Sequence, residues 1–263
     1  MATKVKIGVL NLMHDKLDTQ KRFTKVLPEA NLTFFYPRMH YLNRTVPTEV
    51  AMISEPLDIS RVSEFDGFII TGAPIDMIDF ENVTYIEEIR CLLQALDKYK
   101  IQQLYFCWGA MAAMNYFYGI EKRILPEKFF GVFPHLITNQ NLLLNGLSQG
   151  FIAPHARYAE MDKEQIMQDS RLSINAIDDG GHLFMVSAND HPERNFIFSH
   201  IEYGKNSLRD EYNREIKAHP DRKYKKPEHY SLTSPLFQWQ NTQNTFFNNW
   251  FEEVKKSKLI LDY

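Results

Sequence analysis

The chain has 263 residues, 44% hydrophobic and 13% aromatic, enough to bury a substantial core as one large domain or two small ones. Its formal net charge of -3 carries no general basic excess for nucleic acid or a membrane surface. Only two cysteines, Cys91 and Cys107, are present, so no disulfide framework is expected and a reducing compartment suits the chain.

Residues 5–10 read as a buried strand with Gly8 inside it. The pattern begins so early that no signal peptide fits before it, and no apolar run reaches membrane-spanning length, so a cytoplasmic protein is expected. Residues 32–36 and 67–70 read as further strands, the second running into Thr71-Gly72-Ala73-Pro74. Residues 83–99 read as a helix, because Ile86, Ile89, Leu93 and Leu96 recur at helical spacing and form a core-facing stripe.

The apolar run Gln103-Leu104-Tyr105-Phe106-Cys107 then meets the helix-like stretch Trp108-Gly109-Ala110-Met111-Ala112-Ala113-Met114. This is the outline of a nucleophile elbow, in which a strand delivers a side chain to a tight turn at a helix start. The positive end of the helix dipoles favours a thiolate there. The helix is expected to run to Tyr118 and close at Gly119, burying Met111, Met114 and Tyr118.

Asp179-Gly180-Gly181 lacks the spacing and lysine of a phosphate loop and reads as a turn. Residues 182–188 and 195–199 read as a hairpin around Asn189, Asp190, His191 and Pro192 that leads into His200. Residues 207–218 read as a helix, and 241–258 as an aromatic helix with Phe246, Phe247, Trp250 and Phe251. The basic run at 222–226, between Pro220 and Pro227, reads as a solvated loop; a clamp for the phosphates of a bulky anionic cofactor is the alternative. Strands alternate with helices through the first 120 residues, which favours a mostly parallel sheet covered on both faces with its site at the strands' carboxyl ends. No linker or repeat divides the chain, so residues 1–263 are read as one α/β domain.

Cys107, His200 and Glu202 form a candidate catalytic set. Two residues apart on an extended backbone, His200 and Glu202 face the same way, so the carboxylate can hold one ring nitrogen and leave the other for the thiol. Nine histidines are scattered without a close pair and no Cys-x-x-Cys occurs, so no metal site is expected.

Several blocks resemble the MetA-type homoserine O-acyltransferase family: Val9-Leu10-Asn11-Leu12-Met13, Ile70-Thr71-Gly72-Ala73-Pro74, Phe106-Cys107-Trp108-Gly109-Ala110, Ala153-Pro154-His155-Ala156-Arg157-Tyr158 and His200-Ile201-Glu202-Tyr203. Their order holds from about residue 4 to about residue 255. The resemblance implies a class I glutamine-amidotransferase-like (flavodoxin-like) α/β three-layer sandwich with a mostly parallel sheet, in a cytoplasmic homodimer. It implies transfer of an acyl group from acyl-CoA to the hydroxyl of L-homoserine, in methionine biosynthesis, with no bound cofactor and no nucleic-acid or membrane partner. Cys107 would be the acylated nucleophile, His200 the base and Glu202 its orienting partner. The backbone N–H of Trp108 would be an oxyanion donor. Lys128 and Arg214 would contact the amino acid; on the residues alone, they read as a solvated loop lysine and a helix-face charge.

Two departures bear on specificity. Asp76 stands where the family carries Gly or Glu, forms that go with succinyl-CoA and acetyl-CoA respectively. A carboxylate there repels succinate's free carboxylate by roughly 4 kcal/mol at about 4 Å and an effective dielectric near 20, so acetyl-CoA is favoured. The competing reading has Asp76 capping the segment after Pro74 and facing solvent. Ala156 stands where the family usually carries Ser near the acceptor, and the lost hydroxyl removes roughly 0.5–1.5 kcal/mol of hydrogen bonding. L-serine, one methylene shorter than homoserine, is therefore the alternative acceptor, which would make this a serine O-acetyltransferase of cysteine biosynthesis. A glutamine amidotransferase-like Cys hydrolase is the reading from another class, although Tyr105 stands where such enzymes usually place Gly. A catalytically silent regulatory protein is a third.

Overall fold

The computed structural model describes residues 4–261. Its centre is a ten-stranded sheet, whose strands are numbered along the chain. One half is parallel: β3 (Glu55–Pro56), β2 (Asn31–Tyr36), β1 (Lys6–Leu10), β4 (Gly67–Ile70), β5 (Gln102–Phe106) and β10 (Arg194–Ile197) lie side by side in that order. The other half continues antiparallel through β9 (Leu183–Ala188), β8 (Leu172–Asp178), β6 (Lys122–Ile137) and β7 (Phe151–Met161).

The central parallel strands are short and apolar because helices cover both of their faces. On one face α3 (Ile86–Lys98) and α4 (Trp108–Tyr118) bury Ile89, Leu93, Met111 and Met114. On the other, α1 (Lys16–Val26) contributes Phe23, and α7 (Gln240–Leu261) contributes Phe246, Phe247 and Trp250. The result is the expected three-layer sandwich. Three shorter or more polar helices complete the chain: α2 (Thr48–Ala51), α5 (Lys163–Gln168) and α6 (Ser207–Ala218).

Most local expectations hold to within a few residues. The hairpin before His200 is β9 with β10, and α4 closes at Gly119, whose left-handed φ of 69° suits a residue without Cβ. The sequence reading assigned no strands to 122–137, 151–161 or 172–178 and no helix to 16–26. β6 contains Pro126 and Pro134 and breaks register between Ile124 and Phe129. β7 contains Pro154, which is tolerated because β7 is the sheet's edge. Among the described residues no helix is long and apolar enough to cross a membrane.

Candidate active site

Cys107 is the residue between β5 and α4, with φ 45° and ψ −113°. A side chain held in that region costs roughly 1–3 kcal/mol and needs surrounding structure to impose it. Here the Cys107 N–H donates to the Ile197 carbonyl at 2.7 Å, and its own carbonyl accepts from the Met111 N–H at 3.0 Å. The turn fixes the thiol at the carboxyl edge of the parallel half. Trp108 is the first residue of α4, so its N–H has no acceptor within the helix and is free to face a ligand. Its buried indole packs beside Phe80 and Tyr85.

His200 lies beyond β10, in a turn closed by the Tyr203 N–H on the His200 carbonyl at 2.9 Å. The expected extended backbone is therefore replaced by a turn. The outcome survives by a different route: His200 Nδ1 meets Glu202 Oε1 at 2.8 Å, both side chains almost fully buried. The turn is tied down from outside. The His200 N–H and the Ser199 hydroxyl both donate to the Pro154 carbonyl, at 2.9 and 2.7 Å. From α7 and the residue before it, the Gln243 amide donates to the carbonyls of Ile201 and Tyr203, and the Trp239 indole to that of Tyr203. The imidazole also stacks on the Tyr203 ring, with centroids 4.4 Å apart.

Cys107 and His200 converge over Gly72. A Cβ added at Gly72 would lie 3.0 Å from His200 Cε1, 3.1 Å from Cys107 Cβ and 3.5 Å from Met13 Sδ. The His200 pKa is raised well above its ordinary value: burial opposes the charged ring, but Cys107 first and Glu202 next outweigh it. Among the described residues, Glu202 Oε2 is buried without a hydrogen-bond partner.

The three groups sit at a cavity of about 610 Å³ whose lining includes Cys107 and His200. Asp76, Lys128, Ala156 and Arg214 line the same cavity. Asp76 is buried and accepts a hydrogen bond from the Tyr158 N–H, which corrects the solvent-facing reading. Ala156 is buried in β7. Lys128 is no loop residue: it lies in β6, is 5% exposed, and donates to Glu211 and Glu215. Arg214 is an exposed residue of α6.

Residues 222–226 lie outside the regular elements, and Lys225 already pairs with Glu127 and Glu228. Asp97, His191 and Glu193 approach one another closely, but Arg194 pairs with Asp97 and Lys100 lies 3.9 Å from both carboxylates. Those cations supply the charge a metal would bring, so the group is an ion-pair network.

Sequence reasoning missed Gly72, Tyr203, Glu211, Trp239 and Gln243 as parts of the site. Each acts through a contact with a distant segment, and nothing in its immediate sequence signals that contact. Arg22 was missed as well. It lines the cavity, its guanidinium 4.5 Å from the Tyr203 ring centroid, and it reads locally as one charge on a polar helix.

A family model described as homoserine O-succinyltransferase matches residues 2–258. A serine O-acetyltransferase from Lactobacillus acidophilus is 77% identical over 262 residues, covering 100% of both chains. A serine O-acetyltransferase from Lacticaseibacillus casei is 49% identical over 259 residues, 95% of each chain. A homoserine O-acetyltransferase from Agathobacter rectalis is 33% identical over 257 residues, 94% of this chain and 82% of that one. Among solved structures, a glutamine amidotransferase from Thermotoga maritima superposes with a TM-score of 0.65 at 11% identity, covering 96% of this chain and 98% of that one. At that identity the likeness concerns the fold, which is class I glutamine-amidotransferase-like.

Proposed function

The chain belongs to the homoserine O-succinyltransferase family, and from that premise we propose that it moves the acetyl group of acetyl-CoA to the hydroxyl of L-serine through an acyl-Cys107 intermediate. That it is an acyltransferase of the homoserine and serine kind follows from the family and its named relatives. Serine is put ahead as acceptor because the relatives at 77% and 49% identity bear that name, and Ala156 leaves the cavity without a hydroxyl. Homoserine is the second reading, favoured by the family model and the relative at 33% identity. We take residues 1–263 as one acyltransferase domain that works in the cytoplasm as a homodimer.

The observation that carries the chemistry is the meeting of Cys107 and His200 over Gly72, with Glu202 behind the ring. A raised His200 pKa favours an imidazolium beside a thiolate. The Cys107 sulfur attacks the thioester carbonyl, and the Trp108 N–H faces the oxyanion that forms. His200 gives its proton to the departing sulfur of coenzyme A. One thioester replaces another, so this half-reaction is close to neutral in energy. The imidazole, now neutral, takes the proton of the acceptor's hydroxyl as that oxygen attacks acyl-Cys107. Collapse of the second tetrahedral species returns the thiolate and the imidazolium. The carboxylate of Asp76, held by the Tyr158 N–H, stands in the cavity wall and disfavours a donor with a second carboxylate.

Intact-mass measurement tests the proposal. Acetyl-CoA should leave one acetyl group on the native chain and none on Cys107→Ala, and succinyl-CoA should load far more slowly. L-serine should then clear the adduct faster than L-homoserine. No adduct from any acyl-CoA would sink the acyl-enzyme route, and faster clearance by homoserine would reverse the choice of acceptor.

A further inference from the structure

Lys128 is the most enclosed cation on the cavity wall, and its charge is already answered. Its Nζ donates to Glu211 Oε1 at 2.5 Å and Glu215 Oε1 at 2.7 Å, and lies 4.2 Å from the Phe130 ring centroid. Burial works against the Lys128 ammonium, but Glu211 and Glu215 outweigh it and raise the pKa. The second oxygen of Glu211 accepts from the Tyr203 hydroxyl at 2.9 Å, so that carboxylate is fully engaged. Glu215 is different: among the described residues its Oε2 is buried and accepts nothing.

Two carboxylates against one ammonium leave an excess negative charge in the cavity wall. The neighbouring residue on α6 is Arg214, which lines the same cavity and makes no ion pair among the described residues. Consecutive helical residues point about 100° apart, so Arg214 and Glu215 do not neutralise each other readily. A free guanidinium beside an under-used carboxylate complements a zwitterion. We infer that Glu215 holds the α-ammonium of the acceptor amino acid while Arg214 holds its α-carboxylate. Lys128 is then a positioning residue that fixes Glu215, and not itself a ligand of the substrate. The inference rests on the acyltransferase reading, because only the second half-reaction brings an amino acid to the site. It restricts the acceptor to free α-amino acids with a side-chain hydroxyl.

The test uses acetyl-enzyme made with acetyl-CoA and freed of excess donor. Discharge is followed by intact mass with L-serine and with 3-hydroxypropanoate, which is serine without its amine. The native enzyme should prefer serine by about 100-fold or more, since a site built for a charged group rejects the analogue lacking it. Glu215→Gln should cut that preference at least about tenfold, chiefly through a higher KM for serine, and Glu215→Asp should restore part of it. An unchanged preference in Glu215→Gln overturns the inference. So does a native enzyme that accepts both compounds equally, a result that needs no variant. An enzyme that never takes up the acetyl group overturns the acyltransferase chemistry and this inference with it, and does so before any acceptor is added.

Discussion

The parallel and antiparallel halves of the sheet bring one catalytic group each, by different means. The parallel half sets Cys107 with local devices. The buried strands β1, β4 and β5 have apolar interiors, and one strained residue turns β5 into α4. The antiparallel half is polar inside. His135 and His155 are fully buried and meet at 2.8 Å, and Arg157 beside them pairs with Glu160 at 2.6 Å and donates to the Phe198 carbonyl at 2.9 Å. Because Phe198 leads into His200 and Pro154 of β7 accepts the His200 N–H, the base is held by the antiparallel half. A nucleophile can be positioned by its own turn. A base that must reach it from another strand needs a scaffold of buried polar contacts.

The largest expected effect breaks that scaffold. Arg157→Met leaves Glu160 buried without its cation and should cost about 3–5 kcal/mol of stability. Urea denaturation measures it, and Arg157→Met with Glu160→Gln should recover part of the loss. A cost under about 1 kcal/mol would mean that the ion pair does not hold this half together.

The next effect separates the halves by the sign of their pH dependence. Burial lowers the His135 pKa to about 4 from 6.5. Its contribution is therefore present above about 6.5 and lost as pH falls toward about 4, on the order of 3 kcal/mol in all. His200 has the opposite sign: its raised pKa gives stability that is complete below about 6.5 and lost as pH rises through the folded value. Stability measured against pH should lose its acid-side slope in His135→Leu and its alkaline slope in Cys107→Ala. If both variants keep both slopes, other groups govern them.

A smaller effect sharpens the comparison at the meeting point. Gly72→Ala puts a methyl group 3.0 Å from His200 Cε1 and 3.1 Å from Cys107 Cβ, so one of them must move by a few tenths of an ångström. A shift of that size should lower kcat by about tenfold, with little change in melting temperature. Unchanged kinetics would show that the two groups have slack between them.

The halves also differ in how legible they were. In the parallel half, β1, β4, β5 and α4 could be assigned from apolar runs, a helical stripe and a closing glycine, all local signals. In the antiparallel half, Pro126 and Pro134 interrupt β6, and Pro154 interrupts β7, so neither shows a clean strand period. α1 buries only Thr19 and Phe23 and reads as a run of charges. His200 and Glu202 could be paired by spacing, but the turn that pairs them depends on Pro154, Trp239 and Gln243, all far away in the chain.

Sequence alone determined the elbow at Cys107, the order of the central elements and the family, because strand, turn and helix propensities act over a few residues. Tertiary structure alone decided that Lys128 is buried between two carboxylates, that Asp76 faces the cavity, and that Gly72 lies beneath both reacting groups. Charge pairing and close approach are set by which segments the folded sheet brings together, and residues that meet in this way carry no shared local signature.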